Sequence, residues 1–221
     1  MAILKHIASK SSNYGAALKY LVFEQDELYK VPVRDEKGNC IMRKEFYIAG
    51  LNCEPYSFDA ACRQLNREYQ KNKNKNEIKS HHYIISFDPR DSTENCLTGK
   101  WAQELGLEYA KANFPGHQAL VCTHMDGHNG SGNIHVHIVI NSLRKLDVPQ
   151  QPFMERPIDC KAGYKHHVTN EYAYAQKVKI SNNNCSHKPQ TAPKMIRGCV
   201  CSLCGLFYFV ILIRIDVKFQ G

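Results

Sequence analysis

The sequence predicts an α+β fold, with a largely antiparallel central sheet flanked by helices. Apolar residues alternate with period two in several short segments, which is typical of strands with one buried face. Some of these segments are joined by turn-rich connections and others by helical patterns, and this mixture favours α+β architecture. With 221 residues, 43% of them hydrophobic, the chain has enough apolar material for one core.

The elements follow in order along the chain. Strands are predicted over 3–7, 29–33, 41–48, 82–87, 118–124 and 134–140. Ser11 or Ser12, Ser57 and Thr98 are suited to cap helices that extend to about residues 23, 70 and 112. The turn residues of 35–39 predict a hairpin between the second and third strands. The Gly- and Asn-rich segment 125–133 allows the last two strands to pair antiparallel.

Composition narrows the class of protein. Lys and Arg number 29 against 21 Asp and Glu, a net charge of +8 that favours a polyanionic partner such as nucleic acid. The N-terminus lacks the apolar core of a secretory signal, so we expect a cytoplasmic protein whose ten cysteines are reduced. The longest apolar run, 206–213, is too short to cross a membrane, so no membrane insertion is expected.

The strand at 134–140 carries two histidines on one face. Its period of two places His135 and His137 together, with the apolar residues on the opposite face. An antiparallel hairpin would bring His124 opposite this pair, and three imidazoles suit a divalent cation with positions open for substrate oxygens. Asp126 is placed to orient an imidazole, and His128 is interpreted as a loop residue. The alternative is a pair of exposed strand histidines without a ligand.

Three segments, in order, resemble the motifs of conjugative relaxases, the mobilisation nucleases of the MobA/VirD2 type. They are the histidine segment 123–141, an N-terminal tyrosine segment at 16–21 and the serine segment 82–87. The resemblance covers about residues 1–175. Within the family, the sequence is most similar to the relaxases of Gram-positive mobile elements. It implies a histidine-pair (HUH) endonuclease-like fold.

The resemblance also implies an activity. Such an enzyme nicks one DNA strand at an origin of transfer through tyrosine attack, leaving a 5′-phosphotyrosine and a free 3′-hydroxyl, for mobilisation of a plasmid or integrative conjugative element. A divalent metal ion, Mg²⁺ or Mn²⁺ in the first instance and Zn²⁺, Ni²⁺ or Co²⁺ as alternatives, would polarise the phosphate. Its implied partners are single-stranded origin DNA, accessory relaxosome proteins and a coupling protein.

The resemblance assigns roles to individual residues. Tyr20 matches the tyrosine motif and is the predicted nucleophile, while Tyr14, six residues earlier, is the rival. Asp126 is grouped with Tyr20 as catalytic, and His124, His135 and His137 are the metal ligands. Ser86 is predicted to contact a phosphate on the 3′ side of the nick.

Basic residues supply candidate DNA contacts. A run between 63 and 80 carries six Lys and Arg residues, although such a run is most often a solvated loop. Residues that follow the histidine strand are expected to lie beside the site, with an aromatic ring that would stack on an unpaired base. These predicted DNA-binding residues are Arg144, Lys145, Lys161, Tyr164 and Lys165.

The C-terminal stretch differs in character from the rest. We predict a relaxase domain over 1–180 and an atypical tail over 181–221. We interpret the tail as the result of a reading frame interrupted near 175–180. Such a truncation of the relaxase would impair its activity. Two alternatives remain open. One is a rolling-circle replication initiator, although such enzymes place the tyrosine after the histidines. The other is a DNA-binding remnant that retains the fold without turnover.

Overall fold

A computed structural model describes residues 2–26, 28–29, 31–125, 133–151, 154 and 156–166. Five strands form one antiparallel sheet in the order β1-β3-β5-β4-β2, and the sheet with its flanking helices confirms the α+β prediction. The strands are β1 (Ile3–Ser9), β2 (Phe46–Leu51), β3 (Ser80–Ser86), β4 (His117–His124) and β5 (His135–Arg144).

In the described part of the chain, four α-helices accompany the sheet. Their bounds are α1 (Tyr14–Val22), α2 (Phe58–Glu68), α3 (Pro89–Glu94) and α4 (Gly99–Asn113), with 3₁₀ turns at Pro55–Ser57 and Pro157–Cys160. Thr98 caps α4 as predicted, since its hydroxyl accepts from the Trp101 N–H. Helix α1 is capped instead by Asn13, whose side chain accepts from the Ala16 N–H. Ser57 precedes α2 but makes no side-chain capping bond.

Two local predictions needed correction. The predicted hairpin around 35–39 exists, but as isolated bridges such as Arg34 to Cys40, and regular strand β2 begins only at Phe46. Helix α3 was not predicted, because no helix was expected between the strand at 82–87 and the helix capped by Thr98. Pro89 lies at its first turn, and the Asp88 side chain caps it.

The sheet separates two apolar layers. On one face, α4 packs through Ala102, Leu105 and Ala110 against β4 and β5. On the other face, α1 and α2 pack through Leu21 and Phe58 against the same two strands. The central strand β5 is therefore covered on both sides, which gives it a rigid setting for any side chain it carries.

The pairing of β4 with β5 sets the histidine positions. His124 at the end of β4 lies directly opposite His135 at the start of β5, and Cys122 lies opposite His137. Side chains alternate between faces along a strand, so all three imidazoles lie on the face covered by α1 and α2. The antiparallel pairing of the last two strands, predicted from the glycine-rich connection, is thus observed, with His124 opposite the histidine pair as expected.

Within the described ranges, no helix has the length and apolar character that crossing a bilayer requires. The predicted domain boundary at residue 180 and the tail over 181–221 lie outside the described residues.

Helix α4 approaches the sheet closely at Gly106, and this generates a stability prediction. A Cβ at Gly106 would overlap Val136 Cγ1 and lie 3.3 Å from Val121 Cγ1, both on stiff, buried strand residues. We expect Gly106→Ala to lower the free energy of unfolding by about 1–2 kcal/mol, because overpacking outweighs the gain in helix propensity.

Urea denaturation would measure this change, with Gly15→Ala in α1 as the matched control. A Cβ at Gly15 meets nothing closer than the Asn13 Oδ1 at 3.5 Å, so the same substitution there should leave stability unchanged or raise it slightly. Equal effects at the two positions would contradict the packing argument.

Candidate metal and nucleophile site

Three histidines converge on one end of the β4–β5 pair. The ring centroids of His124 and His137 are 4.7 Å apart, those of His135 and His137 are 4.8 Å apart, and those of His124 and His135 are 5.2 Å apart. One ligand nitrogen from each ring lies within 4.8 Å of the other two. This arrangement can hold a metal ion.

Two of the imidazoles are oriented by backbone carbonyls. His124 Nε2 donates to the Leu21 carbonyl at 2.7 Å, and His135 Nδ1 donates to the Asn133 carbonyl at 3.1 Å. Because a carbonyl only accepts, each bond places a proton on that nitrogen, and in the neutral ring the other nitrogen then carries the lone pair. Metal-ligating histidines are commonly held in this manner.

The third imidazole, His137, is held by another histidine. Its Nδ1 lies 2.9 Å from His82 Nε2 on the neighbouring strand β3. Its Nε2 is buried and has no hydrogen-bond partner, which is costly for a polar atom unless a ligand occupies that side. Burial, followed by the neighbouring imidazoles, holds the pKa of His137 well below its usual range and keeps it neutral. A buried nitrogen without a hydrogen-bond partner, set between two further imidazoles, fits a metal ion.

Tyr20 lies beside this cluster. It lies in the last turn of α1, and its ring is edge-on to two imidazoles. The centroid of its ring is 5.9 Å from that of His137 and 6.5 Å from that of His82. The Leu21 carbonyl that accepts from His124 belongs to the next residue, so the same cluster anchors the helix that carries the tyrosine. The carbonyl is one of the four at a helix C-terminus that lack an intrahelical partner.

The rival Tyr14 is buried and hydrogen-bonded within the fold. Its side chain is 2% exposed, its hydroxyl donates to the Lys79 carbonyl at 3.2 Å, and it accepts from Asn66 Nδ2 at 2.6 Å. Burial raises the pKa of Tyr14 to about 12. A buried, hydrogen-bonded phenol of this kind cannot approach a substrate, so of these two tyrosines Tyr20 is the one placed at the cluster.

The part of the chain that contains the histidine cluster matches a known protein family. The family model "Relaxase: MobA/VirD2-like, nuclease domain" matches residues 39–148, which include β2 to β5 and all three histidines. The chain carries a MobA/VirD2-like relaxase domain.

Relatives and structures extend the comparison. Two Staphylococcus aureus proteins, each named Protein rlx, are 38% identical over 96 residues and 35% identical over 95. Each match covers 43% of this chain and 26% of the relative, so the match spans about a quarter of those proteins. A solved conjugative relaxase TrwC in complex with oriT DNA, in a metal-bound structure, matches with a TM-score of 0.35 and 14% identity, over 84% of this chain and 71% of that one.

Ser86 lies on the same face of the sheet as the histidines. It is the last residue of β3 and is paired directly with His135, so the half-buried serine borders the cluster. Asp126 and His128, the two loop residues considered from the sequence, lie outside the described residues of the relaxase domain.

The predicted basic DNA contacts lie elsewhere. They follow β5 in sequence, but β5 runs away from the cluster, and its nine steps of about 3.4 Å place Arg144 about 30 Å from His135. The prediction that Arg144 contacts DNA is wrong, because it is 2% exposed and its guanidinium donates to the Pro115 and Asp159 carbonyls.

The other four residues share that remote end of the sheet. Lys145 donates to the Asn52 carbonyl at 2.6 Å, and the Tyr164 ring stacks on the Arg144 guanidinium at 5.0 Å. Lys161 pairs with Asp147 at 2.8 Å, and Lys165 lies 3.7 Å from Glu77. Their expected position beside the histidines is therefore wrong, and any DNA contact they make would be remote from the cluster.

Two residues at the site were missed by sequence reasoning. His82 was assigned no part in holding a ligand, yet its Nε2 lies 2.9 Å from His137 Nδ1. Arg43, in the loop before β2, is near enough for its charge to contribute to the lowered pKa of His137. Arg43 also lines a cleft of about 440 Å³ next to the end of β4, together with Glu24, Gln25, Lys44, Glu45 and Met125.

Buried neutral histidines predict an acid-sensitive apo domain. Burial lowers the pKa of His82 to about 4 and holds the pKa values of His117 and His137 well below their usual range. The unfolded chain binds protons at these positions below about pH 6.5 while the folded chain does not. Their stabilising contribution is therefore complete above pH 6.5 and declines as the pH falls below it.

Urea denaturation with EDTA present, between pH 7.5 and 5, would measure this decline. Each group contributes a slope of up to about 1.4 kcal/mol per pH unit, so the three together give at most about 4 kcal/mol per unit. A free energy of unfolding that is equal at pH 7 and pH 5 would contradict the neutral assignment.

Proposed function

We propose that this relaxase domain nicks one strand of DNA at an origin of transfer, with the Tyr20 hydroxyl as the nucleophile. The observation that carries the proposal is the juxtaposition of Tyr20 with the histidine cluster. Its ring meets that of His137 at 5.9 Å, and the helix that carries it is bonded to His124. Tyr14, the nearest rival along the chain, is buried and hydrogen-bonded.

The proposed reaction exchanges one phosphodiester for another. The Tyr20 oxygen loses its proton and bonds to phosphorus, and the bond between phosphorus and the 3′ oxygen breaks. The 3′ oxygen takes up a proton, so the products are a 5′-phosphotyrosine and a free 3′-hydroxyl. Because the phenolate is a good leaving group, the 3′-hydroxyl of a DNA end can reverse the attack and reseal the strand without ATP.

His124, His135 and His137 would hold a divalent cation beside the scissile phosphate. Such an ion, when bound, polarises the phosphate and neutralises the charge that develops on its oxygens. Mg²⁺ or Mn²⁺ is the proposed ion, while three imidazole donors also suit Zn²⁺, Ni²⁺ or Co²⁺. The carbonyls of Leu21 and Asn133 keep His124 and His135 in the tautomers that ligation needs. We propose the same orienting role for Asp126.

The DNA strand would pass the end of the sheet at which the histidines lie, because α1 and α2 cover the rest of that face. Ser86 beside His135 is proposed to contact a phosphate on the 3′ side of the nick. Arg43 and Lys44 line the cleft at the opposite border, and their charges are proposed to hold further phosphates. These two residues take the place that the sequence assigned to the basic residues after β5.

The biological setting is mobilisation of a plasmid or integrative conjugative element. We propose residues 1–180 as the catalytic unit, acting on single-stranded origin DNA with accessory relaxosome proteins and a coupling protein. The family model over residues 39–148 and the two Staphylococcus aureus relatives support this setting.

A covalent adduct tests the nucleophile. The full chain, incubated with Mn²⁺ and labelled single-stranded oligonucleotides that tile the DNA flanking its gene, should give a slow-migrating band on a denaturing gel. Tyr20→Phe should abolish that band because the attacking oxygen is gone. Tyr56→Phe is the matched control and should leave the band unchanged, since Tyr56 is 63% exposed and follows the end of β2 that lies away from His124.

Tyr14→Phe separates the two tyrosine assignments. It should lower stability, because it leaves the Asn66 amide without its acceptor, and should still give the adduct. An adduct that survives in Tyr20→Phe but is lost in folded Tyr14→Phe would overturn the assignment. No adduct in the wild type with any oligonucleotide would favour a DNA-binding remnant without turnover.

The cation site makes a separate prediction. Isothermal titration with Mn²⁺ should show one binding site in the chelator-treated wild-type chain and none in a His135→Ala, His137→Ala double variant, because two of the three donors are removed. A double variant that binds Mn²⁺ as tightly as the wild type would show that these histidines are not the ligands.

A further inference from the structure

We propose that His82 is a positioning residue that holds His137 in the orientation and tautomer needed for metal ligation. The geometry points to this role, since His82 Nε2 lies 2.9 Å from His137 Nδ1 across the β3–β5 pair. The inference rests on the proposed function, because it concerns the cation site that the three histidines would form.

The direction of the hydrogen bond follows from the two nitrogens of His137. Its Nε2 is buried without a hydrogen-bond partner and belongs to the ring that packs against both His124 and His135. If Nε2 supplies the lone pair, Nδ1 carries the proton and donates it, and His82 Nε2 is the acceptor. His82 thus does for His137 what the Leu21 and Asn133 carbonyls do for the other two histidines.

A side-chain acceptor is needed here because backbone groups are already committed. His137 lies in the middle of the sheet, between Ile84 of β3 and Cys122 of β4, and strand carbonyls there point along the sheet to their own partners. His124 and His135 lie at strand ends, where carbonyls of α1 and of the preceding loop can reach them. His82 is a diagonal neighbour on the same face, within reach of a long side chain.

The position of His82 is itself fixed by packing. Its ring lies edge-on to the Tyr20 ring at 6.5 Å and is tilted against the His137 ring at 5.0 Å. The acceptor therefore has little freedom to turn away, and the three rings form one packed group.

A comparable histidine pair on the opposite face offers a matched control. His6 Nε2 lies 3.0 Å from His81 Nδ1, joining β1 to β3 in the same manner, but this pair faces α4 rather than the cluster. Substituting one member of each pair removes a similar bond from the same sheet, and only one of the two bonds involves a proposed metal ligand.

The experiment measures Mn²⁺ affinity by isothermal titration in the full chain. His82→Phe keeps a ring against Tyr20 but removes the acceptor, and should weaken binding about 10- to 100-fold, the usual effect of losing a group that orients a ligand. His82→Gln offers an amide oxygen in place of Nε2 and should bind within a few-fold of the wild type. His6→Phe should not change the affinity.

A second measurement reads the tautomer directly. Long-range ¹H–¹⁵N spectra of the chelator-treated wild type should show the His137 proton on Nδ1. A proton on Nε2 would overturn the inference whether or not the His82 variants fold, and thermal melts with EDTA identify any variant that does not.

The outcomes distinguish a failure of the positioning role of His82 from a failure of the proposed cation site. If the wild type binds Mn²⁺ and a folded His82→Phe binds it equally well, His82 does not position His137 and the cation site stands. If folded His82→Gln is as weak as His82→Phe, the acceptor role is wrong. If the wild type binds no Mn²⁺ while its His137 proton is on Nδ1, the cation site fails although the His82–His137 bond is real.

Discussion

The register of the β4–β5 pair is the constraint on which the site depends. It sets His124 opposite His135 and Cys122 opposite His137, so that all three imidazoles lie on one face at one end of the sheet. A slip of one residue would turn a whole strand over and move its histidines to the opposite face. The apolar residues that alternate with the histidines of β5, Val136 and Ile138, prevent that slip because they are buried under α4.

The same histidines also organise the elements around the sheet. His124 donates to a carbonyl in the last turn of α1, which docks the helix that carries Tyr20, and His137 is joined to His82 on β3. The proposed nucleophile, ligands and orienting groups therefore come from α1, β3, β4 and β5, and they meet only when the sheet is complete. In this domain the contacts that stabilise the packing and those that prepare the chemistry are partly the same.

Much of the histidine site could be predicted from residues close together in the sequence. The alternation in β5 predicted the histidine pair, and the glycine-rich connection predicted the hairpin that adds His124. The basic residues after β5 were misplaced because nearness in sequence was taken for nearness in space, whereas a strand carries its two ends far apart. His82 and Arg43 were missed because nothing in their neighbouring residues distinguishes them from ordinary polar positions.

The sequence by itself determined the fold class, the family resemblance and the face on which the histidines lie, because these follow from periodicity and from residues close along the chain. Only the tertiary structure decided which of Tyr14 and Tyr20 reaches the cluster, which side chain contacts His137 Nδ1 and which basic side chains border the cluster. Tyr14 and Tyr20 share one helix, and burial against α2 and β3 distinguishes them. Such choices depend on packing between distant segments, and local sequence carries no measure of it.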